Sequence, residues 1–192
     1  ACVEQCPVDI EHVDHIVDMR RYQVLMEGAF PEEAGIMLNN VEHAGDPWGL
    51  GRSKRLEWAE SLDFEVRVYE GDPIPDDVDY LYWVGCAGAL DDTAKRTARA
   101  VATLLHEAGV EFMVLGEAES CTGDPARRMG HEFLFQMLAM QNVEVLNEAG
   151  AKRIVVTCAH CYNTLANEYP QGGGHYEVVH HTTLFARLVA DK

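Results

Sequence analysis

The residues of this chain that could do chemistry are its cysteines, six among 192 residues. Cys2 and Cys6 form a C-x3-C-P run ending in Pro7, Cys158 and Cys161 form a C-x2-C run, and Cys86 and Cys121 stand singly between the two runs. A thiolate can ligate zinc or iron, act as a redox group, or pair in a disulfide. Disulfide scaffolds are usually small and cysteine-dense. Here 47% of the residues are apolar, enough to build a real core. Close cysteine pairs in such a chain, with no secretory leader pattern in view, point to metal ligands or redox thiols.

The elements that must position these thiols can be read from the pattern. Ile10 to about Ser61 looks mostly helical, interrupted at Phe30-Pro31 and at the turn cluster Gly45-Asp46-Pro47-Trp48-Gly49. A short strand is expected over 64–69, followed by the acidic, Pro-rich stretch GDPIPDDVD, where a domain boundary is placed. A regular alternation then begins. Strands are predicted over 80–85, 110–115, 153–157 and 176–180, and helices over 93–108, 124–148, 161–168 and 182–190. The fold class implied is α/β, a mainly parallel sheet flanked by helices and preceded by a mostly helical segment.

In an open parallel sheet the carboxyl ends of the strands share one edge, and ligand sites gather there. The first of these strands runs into Gly85-Cys86, the second leads through Gly-Glu-Ala-Glu-Ser to Cys121, and the third ends at Thr157-Cys158, with Cys161 one turn on. The pattern thus delivers Cys86, Cys121, Cys158 and Cys161 to one place. Four thiolates suit either zinc or an iron–sulfur cluster.

These residues also carry a resemblance. The spacing Cys86-x34-Cys121-x36-Cys158-x2-Cys161, with the local text WVGCAG, ESCTGDPARR, VVTCAHCYNTL and VVHHTTLF, resembles the cysteine-rich CCG domain of heterodisulfide-reductase-related iron–sulfur oxidoreductases. The resemblance implies a CCG domain over 80–192. It also implies an electron-transfer role, with a [4Fe-4S] cluster on the four cysteines and zinc as the alternative cofactor. One position departs from the family: its Cys-Cys-Gly appears here as Cys121-Thr122-Gly123. In relatives with five cysteines per motif, an unusual non-cubane cluster cleaves a disulfide, so Thr122 shifts the expectation towards an ordinary cubane.

The run Cys2-x3-Cys6-Pro7 resembles the end of a two-cluster ferredoxin module, whose fourth cysteine serves the other cluster. On that reading, residues 1–9 close such a module, residues 10–79 form a helical linker, and the chain is a fragment. The implied partners are the rest of the ferredoxin module, a second CCG domain of the same protein, and a flavoprotein or quinone-linked redox partner. A docking module for a flavoprotein is the implied role if the metal is zinc.

Other residues complete the reading. His180 and His181 follow the last strand and, with Thr122, are candidates to support the thiols by hydrogen bonding. His160 is read as an outward spacer, and Arg127 and Arg128 as partners of surface acids, as an offset to cluster charge or as contacts for an anionic partner. Trp83 reads as core packing or shielding for the site, and Trp48 as an anchor of the preceding segment. A formal charge of −17 argues against a nucleic-acid partner. No stretch approaches the roughly 20 apolar residues of a membrane span, so a cytoplasmic location is expected, with any membrane association carried by other parts of the protein. No nucleophile–base pair or phosphate-binding Gly-rich loop points to hydrolysis.

Overall fold

The computed structural model describes residues 3–190, so Cys2 lies outside the described residues. Helix α1 (Val13–Met26) and helix α2 (Glu32–Ala44) lead into two single 3-10 turns, Arg52–Lys54 and Glu57–Ala59. The strands that follow are β1 (Arg67–Val68), β2 (Tyr80–Trp83), β3 (Phe112–Val114), β4 (Arg153–Val156) and β5 (Glu177–His180). Helices α3 (Gly85–Leu90) and α4 (Asp92–Glu107) join β2 to β3, and α5 (Asp124–Met129) and α6 (Glu132–Glu148) join β3 to β4. The short α7 (Ala159–Asn163) precedes β5, and α8 (His181–Ala190) follows it.

All five strands are parallel, in the order β1-β3-β2-β4-β5. The chain leaves β2 towards one edge and later returns to its other side with β4. The switch point of the topology therefore lies at β2, where crevices for ligands form. Parallel strands are covered on both faces, so they read as continuous apolar runs. Leu81 and Trp83 face one core layer with Ile154, Leu138 and Leu146, whereas Tyr82 faces the other with Val155, Val101 and Leu105. Helix α6 covers the first face; α4 and α8 cover the second.

The segment before residue 80 is built into this body. β1 pairs with β3 through Arg67↔Met113 and Val68↔Val114. Leu38 and Val41 enter one core layer and Trp58 the other. The acidic linker thus connects two strands of one sheet instead of separating two cores. Trp58, fully buried, is the aromatic anchor of this segment; Trp48 stays half exposed. Among the described residues, no helix is long and apolar enough to cross a membrane.

The sequence pattern predicts one helix over 124–148, but the structure has two. Gly130 ends α5 in the left-handed region at φ 93°, and His131 caps α6 by accepting from the Leu134 N–H at 3.3 Å. The break is demanded from outside: a Cβ at Gly130 would stand 2.7 Å from the Arg20 carbonyl carbon, because α1 crosses there. Gly150 also has a positive φ but faces open space. Gly130→Ala therefore combines backbone strain with a clash, costing on the order of 1–3 kcal/mol, while Gly150→Ala costs less. Urea denaturation of the two variants checks this order, and equal losses would contradict it.

Candidate metal centre

Each candidate thiol arrives by a different piece of backbone geometry. Just past β2, α3 opens on Gly85, whose φ of 76° only glycine adopts readily and whose Cα side faces the Cys161 sulfur. Cys86 follows directly. Cys121 sits on the loop between β3 and α5, and its N–H donates to the Gly45 carbonyl at 2.7 Å. Cys158 occupies the N-cap position of α7, and Cys161 lies within that helix. All four line one cavity of about 600 Å³ at the carboxyl edge of the sheet, beside the switch strand.

The loop carrying Cys121 is held by a buried polar network. Asn142, on α6, donates to the Cys121 carbonyl at 2.9 Å and to the Tyr169 hydroxyl at 2.9 Å, and it accepts from Ser120 at 2.9 Å. The Tyr169 hydroxyl in turn donates to the Thr122 carbonyl at 3.0 Å. Every polar atom of the Asn142 side chain is used, which makes the network costly to interrupt.

On the other side stands an ion pair between Arg55 and Glu119, each 2% exposed, at 2.8 Å. Arg55 Nη2 also donates to Cys86 Sγ at 3.2 Å and to the Gly45 carbonyl at 3.0 Å. Glu119 accepts the N–H groups of Val84 at 3.0 Å and Gly85 at 2.9 Å. Burial holds the Glu119 carboxyl above its ordinary value, against the opposing pull of Arg55 and the two backbone N–H groups. Three donors and no acceptor around it are the surroundings of a carboxylate.

The thiols interact in two pairs. Cys86 is pushed well above its ordinary value, first by its hydrogen bond to Cys121 and then by burial, with Arg55 opposing both. Cys121 is drawn down, chiefly by that same bond. Cys158 is drawn down to about 5, chiefly by its bond with Cys161, and Cys161 is pushed well up by the same bond and by burial.

The other candidates fall in different places. Thr122 is buried and lines the cavity. Cys6 lies apart, near the surface, with its sulfur 3.4 Å from the Ile10 N–H. His180 reaches the region only indirectly, 3.0 Å from the Thr157 carbonyl. His181 points away, into a groove shared with Leu104 of α4 and Phe185, so the structure does not bring the two histidines to the sulfurs. His160 is exposed, as its spacer reading holds, yet it hydrogen-bonds Asp124 at 3.0 Å on the cavity rim. Arg127 pairs with Glu168 at 3.2 Å and lies over the Phe135 ring, and Arg128 pairs with Asp124 and Glu168. Trp83 lines the cavity, as does Trp48 at its mouth. Sequence reasoning missed Arg55, Glu119, Asn142 and Asp124. No periodicity or spacing marks them, since each matters through a partner far along the chain.

The donor set tests which group could sit here. It is made of thiols alone, which is the ligand chemistry of iron–sulfur clusters. Among the described residues, no three His, Cys, Asp or Glu side chains are drawn together as ligands of a single metal ion would be. An all-thiol set of four suits an iron–sulfur cluster, and by ligand type alone it also suits zinc.

Comparison with known proteins agrees. Residues 80–166 match the family described as "CCG: Cysteine-rich domain". The chain carries a CCG cysteine-rich domain. Over its whole length it is 45% identical to "EtfAB:quinone oxidoreductase" of Syntrophomonas wolfei, covering 27% of that protein. It is 44% identical, over 98% of the chain, to "Probable iron-sulfur-binding oxidoreductase FadF" of Bacillus subtilis, again covering 27% of the relative. It is 31% identical, over 86% of the chain, to a component of the dihydromethanophenazine:CoB–CoM heterodisulfide reductase of Methanosarcina barkeri, covering 38% of that relative. The chain therefore spans well under half the length of these relatives. No solved structure matches it. The relatives named for iron–sulfur binding support an iron–sulfur cofactor for this CCG domain, and nothing supports zinc.

Asn142→Ala strands the Cys121 carbonyl and the Ser120 hydroxyl in the CCG domain core. It destabilises the fold by about 1–3 kcal/mol or more, whereas Tyr169→Phe loses about 1 kcal/mol. Chemical denaturation of both variants checks the order; a larger loss for Tyr169→Phe would contradict the network.

Proposed function

We propose that this chain is the electron-transferring iron–sulfur part of a larger, heterodisulfide-reductase-like oxidoreductase. The observation that carries the reading is the gathering of Cys86, Cys121, Cys158 and Cys161 at the switch-point edge of the sheet. These four residues would hold a [4Fe-4S] cluster, which when bound supplies a one-electron couple. The chain's own residues do the rest. Arg55 offsets negative charge at the Cys86 sulfur, and Trp83 and the core layers behind it keep water from the inner side. Thr122, in the cavity wall where the family's motif has a second cysteine, offers no thiol. That favours an ordinary cubane and a relay over direct disulfide cleavage.

The relatives' greater length supports further parts in the same protein. On this reading they include a ferredoxin module completed by Cys2 and Cys6, a second CCG domain, and a flavoprotein or quinone-linked partner. The same reading puts the site on the cytoplasmic side, with any membrane association made by those other parts.

Anaerobically purified full-length protein is the material for the test. Cys158→Ser and Cys161→Ser each lower the iron content by about four atoms per chain relative to wild type and weaken the dithionite-bleachable absorbance near ~400 nm. Wild-type protein holding zinc at this site, or variants with unchanged iron, would overturn the reading.

A further inference from the structure

We infer that Arg55 and Glu119 form a charge pair that sets the reduction potential of the thiol-held group, with Arg55 the positioning residue. The inference rests on the iron–sulfur reading above and extends it to residues that the family match does not single out; Arg55 lies outside the matched segment 80–166 altogether.

The geometry is specific. The Arg55 guanidinium divides its donors between the Glu119 carboxylate, the Gly45 carbonyl and the Cys86 sulfur. The Gly45 carbonyl also accepts the Cys121 N–H, so one oxygen and one guanidinium tie the Cys86 and Cys121 branches together. Glu119 completes the frame by holding the N–H groups of Val84 and Gly85, immediately before Cys86. Both side chains are almost fully buried, so solvent screens their fields little. Hydrogen bonds and fixed charge beside ligand sulfurs are the protein's main means of tuning such a site.

The signs follow from electrostatics. Adding an electron makes the site more negative, and a cation beside Cys86 favours that state while an anion opposes it. Arg55→Gln therefore lowers the midpoint potential, and Glu119→Gln raises it. Arg55→Lys keeps the charge and stays closer to wild type than Arg55→Gln does. A merely structural role would loosen the site in all three variants without shifts of opposite sign.

The test is an EPR-monitored redox titration of the full-length protein, with iron content measured alongside. Wild type must first show the four-iron signal that Cys158→Ser removes; its absence overturns the iron–sulfur reading itself, before any variant is compared. Opposite shifts in Arg55→Gln and Glu119→Gln support the charge pair. Shifts of the same sign, or none, overturn it. If Arg55→Gln fails to retain iron, the comparison passes to Arg55→Lys and Glu119→Gln. A raised potential in the latter alone supports the inference, and unchanged potentials or loss of iron from both overturn it.

Discussion

A guanidinium and a carboxylate buried together, Arg55 with Glu119, hold the centre of this molecule in register. Taking two charges out of water costs several kcal/mol per ion. Their attraction offsets that cost only when the remaining donors and acceptors are also satisfied. Here nearly all of them are: Glu119 meets two backbone N–H groups, and Arg55 meets a carbonyl and a sulfur. Removing one partner would leave an uncompensated buried charge, at a cost of about 3–5 kcal/mol. The arrangement thus demands that the 45–55 segment, the turn after β2 and the loop before Cys121 fold together.

That demand explains why the segment before residue 80 cannot be read as a mere linker. Its helix α2 ends in Gly45, whose left-handed conformation turns the chain beneath the Cys121 loop. Asp46, fully buried, then accepts the N–H groups of Trp48, Leu50 and Gly51 and shapes the turn that leads to Arg55. Trp58 closes the opposite face against Tyr82. The thiols are presented by the CCG domain, but the wall opposite them is built from outside the matched residues. Sheet and wall form one folding unit.

How much of this was legible in the sequence depended on range. The parallel α/β body was readable because each strand is a short apolar run and each helix carries its own period. The convergence of four cysteines followed from the rule that strand carboxyl ends share an edge. The break at Gly130 was not readable, because its cause is α1 crossing from more than a hundred residues away, and Phe133 and Met137 continue a helical pattern through it. Nothing local distinguishes Glu119 from the chain's many other acids, or Arg55 in Ser-Lys-Arg-Leu-Glu from a surface base. Local pattern carries elements and edges; it does not carry a pairing between residues 55 and 119.

The same scale separation bears on charge. A formal charge of −17 suggests a molecule hostile to a site that gathers thiolates. Surface charges act through water, however, and are screened within about 8 Å at physiological salt. The site responds instead to what is buried beside it. The N–H groups of His160 and Cys161 favour the Cys158 thiolate, that of Gly123 favours Cys121, and Arg55 favours both Cys86 and Cys121. One buried cation and a few directed N–H groups thus act on the thiols more directly than many distant acids do. An acidic surface and an anionic centre can share one small protein because the fold places the compensating donors inside.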